Sequence, residues 1–116
     1  MDLKMKRGDI YYANLSPALG SEIDKRRPVL IISNNANNRA ADTVTILPIT
    51  SNVTLVYPFE VFLEPNGTGL SKPSKVQAQQ IRTISKQRLD KNKLGTLSSE
   101  TMQLVKAALI LHLALE

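Results

Sequence analysis

Runs of apolar and β-branched residues alternate with turn chemistry along most of this chain, which predicts short strands, and only its last stretch carries a helical period. Asp9 to Leu15, framed by Gly8 and Ser16-Pro17, predicts a first strand. Ser16 to Arg26 holds Pro17, Gly20 and several charged residues without an apolar period, so it predicts a long loop. Pro28-Val29-Leu30-Ile31-Ile32 is apolar without alternation, the pattern of a strand buried on both faces of a closed or covered sheet. The asparagine-rich segment Asn34 to Asp42 predicts a polar turning connection. Thr43 to Thr50 predicts the next strand, with Pro48 at its end or on an unpaired edge. Pro58 to Leu63 predicts another, reversed by Glu64-Pro65-Asn66-Gly67-Thr68-Gly69. Lys75 to Ile84 alternates loosely through Val76, Ala78, Ile81 and Ile84, as one bent strand or two short ones, and Leu94 to Leu97 predicts a last short strand.

From Ser98 onward the period changes. Ser98 suits an N-cap, Glu100 falls in the first turn, and no Gly or Pro interrupts the chain to Glu116. Met102, Val105, Leu109 and His112 share one face of the resulting helix, and Leu104, Ala108, Leu111 and Leu115 share a neighbouring one. This apolar arc is broader than docking on one sheet requires, so the helix either meets a second subunit or lies deep in its own core. Together these elements predict one domain over residues 1–116, mostly β with a C-terminal helix: a small β-barrel with an appended helix.

Composition narrows the chemistry. Among 116 residues there is no cysteine, which excludes disulfides, thiolate zinc sites and cysteine nucleophiles. The charged opening Met1 to Gly8 has no signal-peptide core and no run of apolar residues is long enough to span a bilayer, so the expectation is a soluble cytoplasmic protein without membrane contact. A net charge of +5 suits a polyanion, and it also suits an acidic protein or an ordinary basic surface. His112 is the one histidine and reads as a packing residue in its helix. No His or Cys cluster has metal-ligand spacing and no phosphate-binding glycine loop is present, so no metal or cofactor is expected. Any catalysis rests on carboxylates, arginines, hydroxyls and amides.

Such groups concentrate in Gly20 to Pro28, where Glu22, Asp24, Lys25, Arg26 and Arg27 lie on a loop running into a strand. If that strand pairs antiparallel with Thr43 to Thr50, Arg27 lies beside Thr50, with Ser51 and Asn52 just beyond. An arginine and a hydroxyl converging by a basic loop make a phosphate cradle. The same residues also read as a solvated charged loop above an ordinary strand end.

Arg7-Gly8-Asp9-Ile10-Tyr11, Leu15-Ser16-Pro17, Gly20-Ser21-Glu22, Arg27-Pro28-Val29-Leu30-Ile31-Ile32-Ser33-Asn34, Leu47-Pro48-Ile49-Thr50-Ser51 and Gln80-Ile81-Arg82-Thr83-Ile84, in this order and spacing, resemble the MazF/PemK toxins of type II toxin–antitoxin systems. Tyr57-Pro58-Phe59-Glu60-Val61 is similar to some members as well, so the resemblance spans nearly the whole chain. It implies an SH3-like (PemK/CcdB-like) barrel and a homodimer. It also implies a sequence-specific endoribonuclease that cuts single-stranded RNA, such as mRNA, by 2′-hydroxyl attack without a metal. The ends left are a 2′,3′-cyclic phosphate and a 5′-hydroxyl, and translation and growth are inhibited. A cognate MazE-like antitoxin is implied as partner, its acidic tail filling the RNA groove.

Carried over on the matching positions, Arg27 and Thr50 take the catalytic arginine and threonine roles, and Glu22 that of the acidic loop residue. Arg27 suits stabilisation of the anionic phosphorus centre, Thr50 suits a grip on a non-bridging oxygen, and Glu22 is the candidate base, with Arg27 itself as the alternative acid or base. Candidates for RNA binding are Ser21, Lys25, Arg26, Ser51, Asn52, Tyr57, Gln77 and Gln79, with Tyr12 and Phe59 as further aromatics and core packing expected of Phe59. Two departures from the family pattern bear on specificity and activity: Ile23 stands where relatives often carry glutamine, and Gln79 where they often carry an acid. Two other readings stay open, a non-cutting toxin that binds DNA gyrase as the related CcdB toxins do, and a degenerate RNA-binding module.

Overall fold

The computed structural model describes residues 4–17, 19–22 and 25–115. Its elements run β1 (Asp9–Asn14), β2 (Arg26–Ile31), α1 (Asn35–Ala40), β3 (Thr43–Thr50), β4 (Glu60–Leu63), β5 (Ser74–Gln77), β6 (Arg82–Ser85), β7 (Gly95–Thr96) and α2 (Ser99–Leu113). All described pairings are antiparallel, in the order β4-β5-β3-β2-β1-β7, with β6 added to β3. The architecture is thus mostly β, a half-barrel sheet closed on one face by the C-terminal helix.

The unalternating apolar run on β2 has a direct structural reason: both faces of the sheet are covered. Leu30 and Ile32 enter a core with Ile10, Leu47, Ile49, Val61, Val76 and the helix residues Val105 and Ala108. Val29 and Ile31 enter a second core with Tyr11, Leu15, Val44, Ile46 and Ile84. Full burial of each such side chain contributes about 1.5–3 kcal/mol, so two cores on one short sheet give this small chain its cohesion.

β3 is the hub. On one side it pairs with β2 (Val29↔Pro48, Leu30↔Leu47, Ile31↔Ile46). On the other it pairs first with β6 through Ile46 and then with β5 from Ile49. Pro48 is therefore buried inside a central strand rather than ending it or lying on an edge. Leu47 and Pro48 fall where β3 changes partners, so a residue without an N–H is tolerated there.

The asparagine-rich connection is not a simple turn but the short helix α1. The Asn34 side chain accepts from the Asn37 N–H and caps it. Asn38 is fully buried and its amide bonds Ser33, which gives this polar stretch a fixed internal partner. Lys75 to Ile84 resolves into the two short strands β5 and β6, joined by a 3-10 turn over Ala78–Gln80.

The helix α2 begins as expected, with Ser98 Oγ accepting from Thr101 N–H at 3.1 Å. It turns Val105 and Ala108 inward, whereas Leu104 and Leu111 remain 59% and 55% exposed and Leu113 and Leu115 are exposed too. Deep burial of α2 within its own chain is thereby ruled out, and the leucines of its second apolar face stay open while Ala108 on that face is buried. His112 is exposed, with its ring 5.7 Å from that of Phe59. No helix among the described residues is long and apolar enough to cross a membrane.

Candidate active site

The β2–β3 register decides which polar residues meet. Val29 opposes Pro48, and the same register carried two residues outward sets Arg27 opposite Thr50. Thr50 is in turn the direct partner of Lys75 on β5, and Lys75 that of Phe62 on β4, where Glu60 also opposes Gln77. Because side chains alternate along a strand, Arg27, Thr50, Lys75, Gln77 and Glu60 all belong to the sheet face opposite the core that α2 covers. The result is a polar row across four strands.

Thr50 is nearly buried, and its Oγ1 accepts from the Asn52 N–H at 3.2 Å. That bond uses a lone pair and leaves the hydroxyl hydrogen to donate elsewhere. Arg27 is half-buried at the start of β2 and lines a shallow cleft of about 230 Å3 with Tyr12, Arg26, Ser51 and Lys72. Ser71 and Lys72, on the far wall, come from a turn-rich stretch that carried no motif.

The described part of the charged loop is tied by side chains of its own and by those of Gln80 and Arg88. Glu22 is exposed, and its Oε1 accepts from Leu19 N–H at 2.6 Å, which closes the loop's turn. Ser21 is exposed and its carbonyl accepts from Gln80 Nε2. Lys25 adopts the left-handed conformation (φ 67°), and its N–H donates to Ser16 Oγ at 2.9 Å. Arg26 pairs with Asp90 while its guanidinium lies 4.2 Å above the Tyr12 ring, on the face away from Arg27. Ile23 lies outside the described residues.

Beyond Thr50, Ser51 and Asn52 are exposed and Asn52 Oδ1 accepts from Thr54 N–H. Tyr57 is half exposed and stacks on Phe59, with ring centroids 5.4 Å apart. Phe59 is thus shared between the surface and the barrel rather than committed to the core. Gln77 is buried and Gln79 half-buried, so neither forms an open groove wall.

What sequence reasoning did not single out is Glu60. Its carboxylate is buried and collects four donors: Lys75 Nζ at 2.8 Å and Tyr57 N–H at 3.0 Å on Oε1, Gln79 Nε2 at 2.6 Å and Gln77 Nε2 at 3.4 Å on Oε2. Burial pushes its pKa up, but the bonds from Lys75, Gln79 and the Tyr57 N–H, with the Lys75 charge, outweigh it and hold the group below the usual carboxylate range. The signal in the chain was a lone acid at the head of an apolar strand, with a lysine on the next strand. Gln79, uncharged in itself, thus stands directly against a carboxylate.

A larger recess of about 760 Å3, bordered by Lys4, Lys6, Arg39 and Lys86, lies beside α1 at the other end of β2 and β3 and contains none of these groups. Among the described residues, no three His, Cys, Asp or Glu side chains are grouped to hold a metal ion.

Residues 6–113 match the family model of PemK-like, MazF-like toxins of type II toxin–antitoxin systems. The chain belongs to this family. It is 40% identical to Endoribonuclease MazF9 of Mycobacterium tuberculosis (strain ATCC 25618 / H37Rv) over 116 residues, covering 96% of this chain and 98% of the relative. Among solved structures, MazF from Deinococcus radiodurans superposes with a TM-score of 0.84 at 26% identity, covering 97% and 99% of the two chains. An endoribonuclease in complex with its cognate antitoxin from Mycobacterial species superposes at 0.80 with 29% identity, covering 97% of each. The half-barrel with its C-terminal helix is therefore the MazF fold.

Proposed function

We propose that this MazF-type endoribonuclease toxin cuts single-stranded RNA at selected sequences through Arg27 and Thr50, without a metal ion. The observation that carries the reading is the β2–β3 register, which, carried two residues outward, sets Arg27 opposite Thr50 on one face of the sheet. RNA supplies its own nucleophile, the 2′-hydroxyl. As that oxygen bonds to phosphorus, the bond from phosphorus to the 5′ oxygen breaks, leaving a 2′,3′-cyclic phosphate and a 5′-hydroxyl. The 2′ proton leaves to a base and one is returned to the 5′ oxygen.

Arg27 is the source of fixed positive charge for the crowded phosphorus centre, since a guanidinium stays protonated at any working pH. Thr50, whose oxygen already accepts from Asn52, donates its hydroxyl hydrogen to a non-bridging oxygen. Glu22 is the base in this reading; it must exchange its bond to Leu19 N–H for the 2′-hydroxyl. Ser21, Lys25, Arg26, Ser51, Asn52 and Tyr57 flank the path of the strand. The exposed leucines of α2 form a homodimer interface, and an acidic antitoxin tail competes with RNA for the same cationic cleft. Action on cellular mRNA sets its place in the cytoplasm and makes it an inhibitor of translation.

The test is incubation of the purified chain with a long unstructured RNA and a DNA of equivalent sequence in excess EDTA, beside Arg27→Ala. Discrete cuts in RNA alone, with cyclic-phosphate ends and loss on mutation, are expected. Intact total cellular RNA with folded, antitoxin-free protein overturns the reading and turns attention to a protein-binding toxin.

A further inference from the structure

Three apolar side chains of the segment that follows Thr50 point outward: Leu55, Val56 and Tyr57 are 61%, 43% and 48% exposed. The half-buried Val53 and the stack of Tyr57 on Phe59 supply its packing. Its middle is tied by polar bonds from buried groups: Lys75 Nζ donates to the Leu55 carbonyl at 2.6 Å, and Glu60 Oε1 accepts from the Tyr57 N–H at 3.0 Å. The Glu60 N–H also donates to the Tyr57 carbonyl at 2.9 Å. Lys75 and Glu60 bind each other at 2.8 Å, with side chains only 9% and 1% exposed.

A buried ion pair is poor evidence for stability, because desolvation of both charges offsets their attraction. This one does something else. Each partner spends one further bond on the main chain of the same exposed segment, two residues apart, and Lys75 also lies 5.8 Å from the Tyr57 ring. The amides of Gln77 and Gln79 turn their Nε2 donors onto Glu60, while their Oε1 atoms find no partner among the described residues. Four donors fill both carboxylate oxygens, so Glu60 is locked in place. Lys75 is also the cross-strand partner of Thr50, from which the segment departs.

We propose that Glu60 and Lys75 are positioning residues that clamp the Ser51–Tyr57 segment as a fixed wall beside Thr50, so that RNA affinity depends on a buried ion pair that RNA need not touch. The proposal rests on the ribonuclease reading above for its kinetic consequence, but its structural half stands apart from it. A wall fixed before RNA arrives spares the ordering cost on binding, which appears in KM rather than in kcat.

The experiment uses the full-length protein with Lys75→Met and with the double variant Lys75→Met/Glu60→Gln, which removes both buried charges. An RNA bearing the mapped cut site serves as substrate, and amide hydrogen exchange over Asn52 to Tyr57 is read without RNA. Both variants should raise KM about tenfold with kcat within about twofold of the parent. Exchange of the segment's amides should quicken at least tenfold while the β2 and β3 amides stay protected. If Lys75→Met does not fold, the double variant, free of an uncompensated charge, gives the answer. A folded double variant with parental KM and parental exchange overturns the proposal, as does a loss confined to kcat. If the parent cuts no RNA the ribonuclease reading fails, and the clamp is then judged on exchange alone.

Discussion

Replacing Gly69 by alanine drives a methyl group to 1.9 Å from the Leu94 carbonyl oxygen. Cβ atoms essentially never approach another heavy atom within 3.0 Å, so the two backbones must part by about 1.1 Å. That movement works against fixed structure: the Leu94 N–H donates to the Ile10 carbonyl at 2.7 Å, and Gly95 pairs with Ile10 in β7. Gly69 also has φ of +80°, a conformation that costs an L-residue about 1–2 kcal/mol. Gly67 shares that φ of +80° but has nothing within 4 Å of an added Cβ, so it isolates the backbone cost. Overpacking of a tight contact adds about 1–3 kcal/mol, giving roughly 2–5 kcal/mol for Gly69→Ala against about 1–2 for Gly67→Ala. At about 4 °C per kcal/mol for a chain of this size, the two melting temperatures should fall by roughly 8–20 °C and 4–8 °C. Thermal unfolding by circular dichroism at one protein concentration gives both values. Equal losses in the two variants would refute the claim that close backbone approach, and not φ, makes Gly69 necessary. Because Leu70, Ser71 and Lys72, which line the cleft, follow Gly69, the same variant should disturb that side of the cleft.

Thr50→Val, similar in size but unable to donate a hydrogen bond, should leave the melting temperature nearly unchanged and slow RNA cleavage by about 10²–10³ under single-turnover conditions. Glu60 has its pKa lowered in the folded chain, so its network contributes stability above the usual carboxylate range and loses it as pH falls through the folded pKa. Melting curves should therefore drop on acidification from about pH 5 downward, and Glu60→Gln should show a flatter acid limb from a lower neutral starting point. Leu111→Arg, on the open face of α2, should leave the fold intact and raise the dimer dissociation constant by at least tenfold in sedimentation equilibrium. Ser98→Ala removes the cap on Thr101 N–H and should cost about 1 kcal/mol by urea denaturation.

Elements with a strong local pattern were legible in advance. The bare apolar run of β2 announced a sheet covered on both faces, and Ser98 announced the start of α2. The antiparallel pairing of β2 with β3 was legible too, and its register, carried two residues outward, sets Arg27 opposite Thr50. Pro48 misled because its tolerance depends on a partner change between β6 and β5, which no local pattern encodes. The asparagines of α1 misled because a buried Asn38 finds its partners only once Ser33 has been placed. Glu60 was hidden for the same reason: its significance lies in Lys75, Gln77 and Gln79, which are close in space and 15 to 19 residues away in sequence. His112 read as a packing residue, yet it is exposed beside Phe59, because helical spacing alone does not say how much of a face is covered.

The central claim is that RNA supplies the nucleophile while Arg27 and Thr50 manage the charge. The most direct test is a single RNA oligonucleotide carrying the mapped cut site, with the one 2′-hydroxyl beside the scissile phosphate replaced by hydrogen and every other ribose intact. Incubated with the wild-type protein in excess EDTA, this oligonucleotide should bind as the all-RNA strand does and remain uncut, while the parent strand is cleaved to a 2′,3′-cyclic phosphate. Cleavage of the modified strand at the same bond would contradict the account and require a nucleophile other than RNA itself.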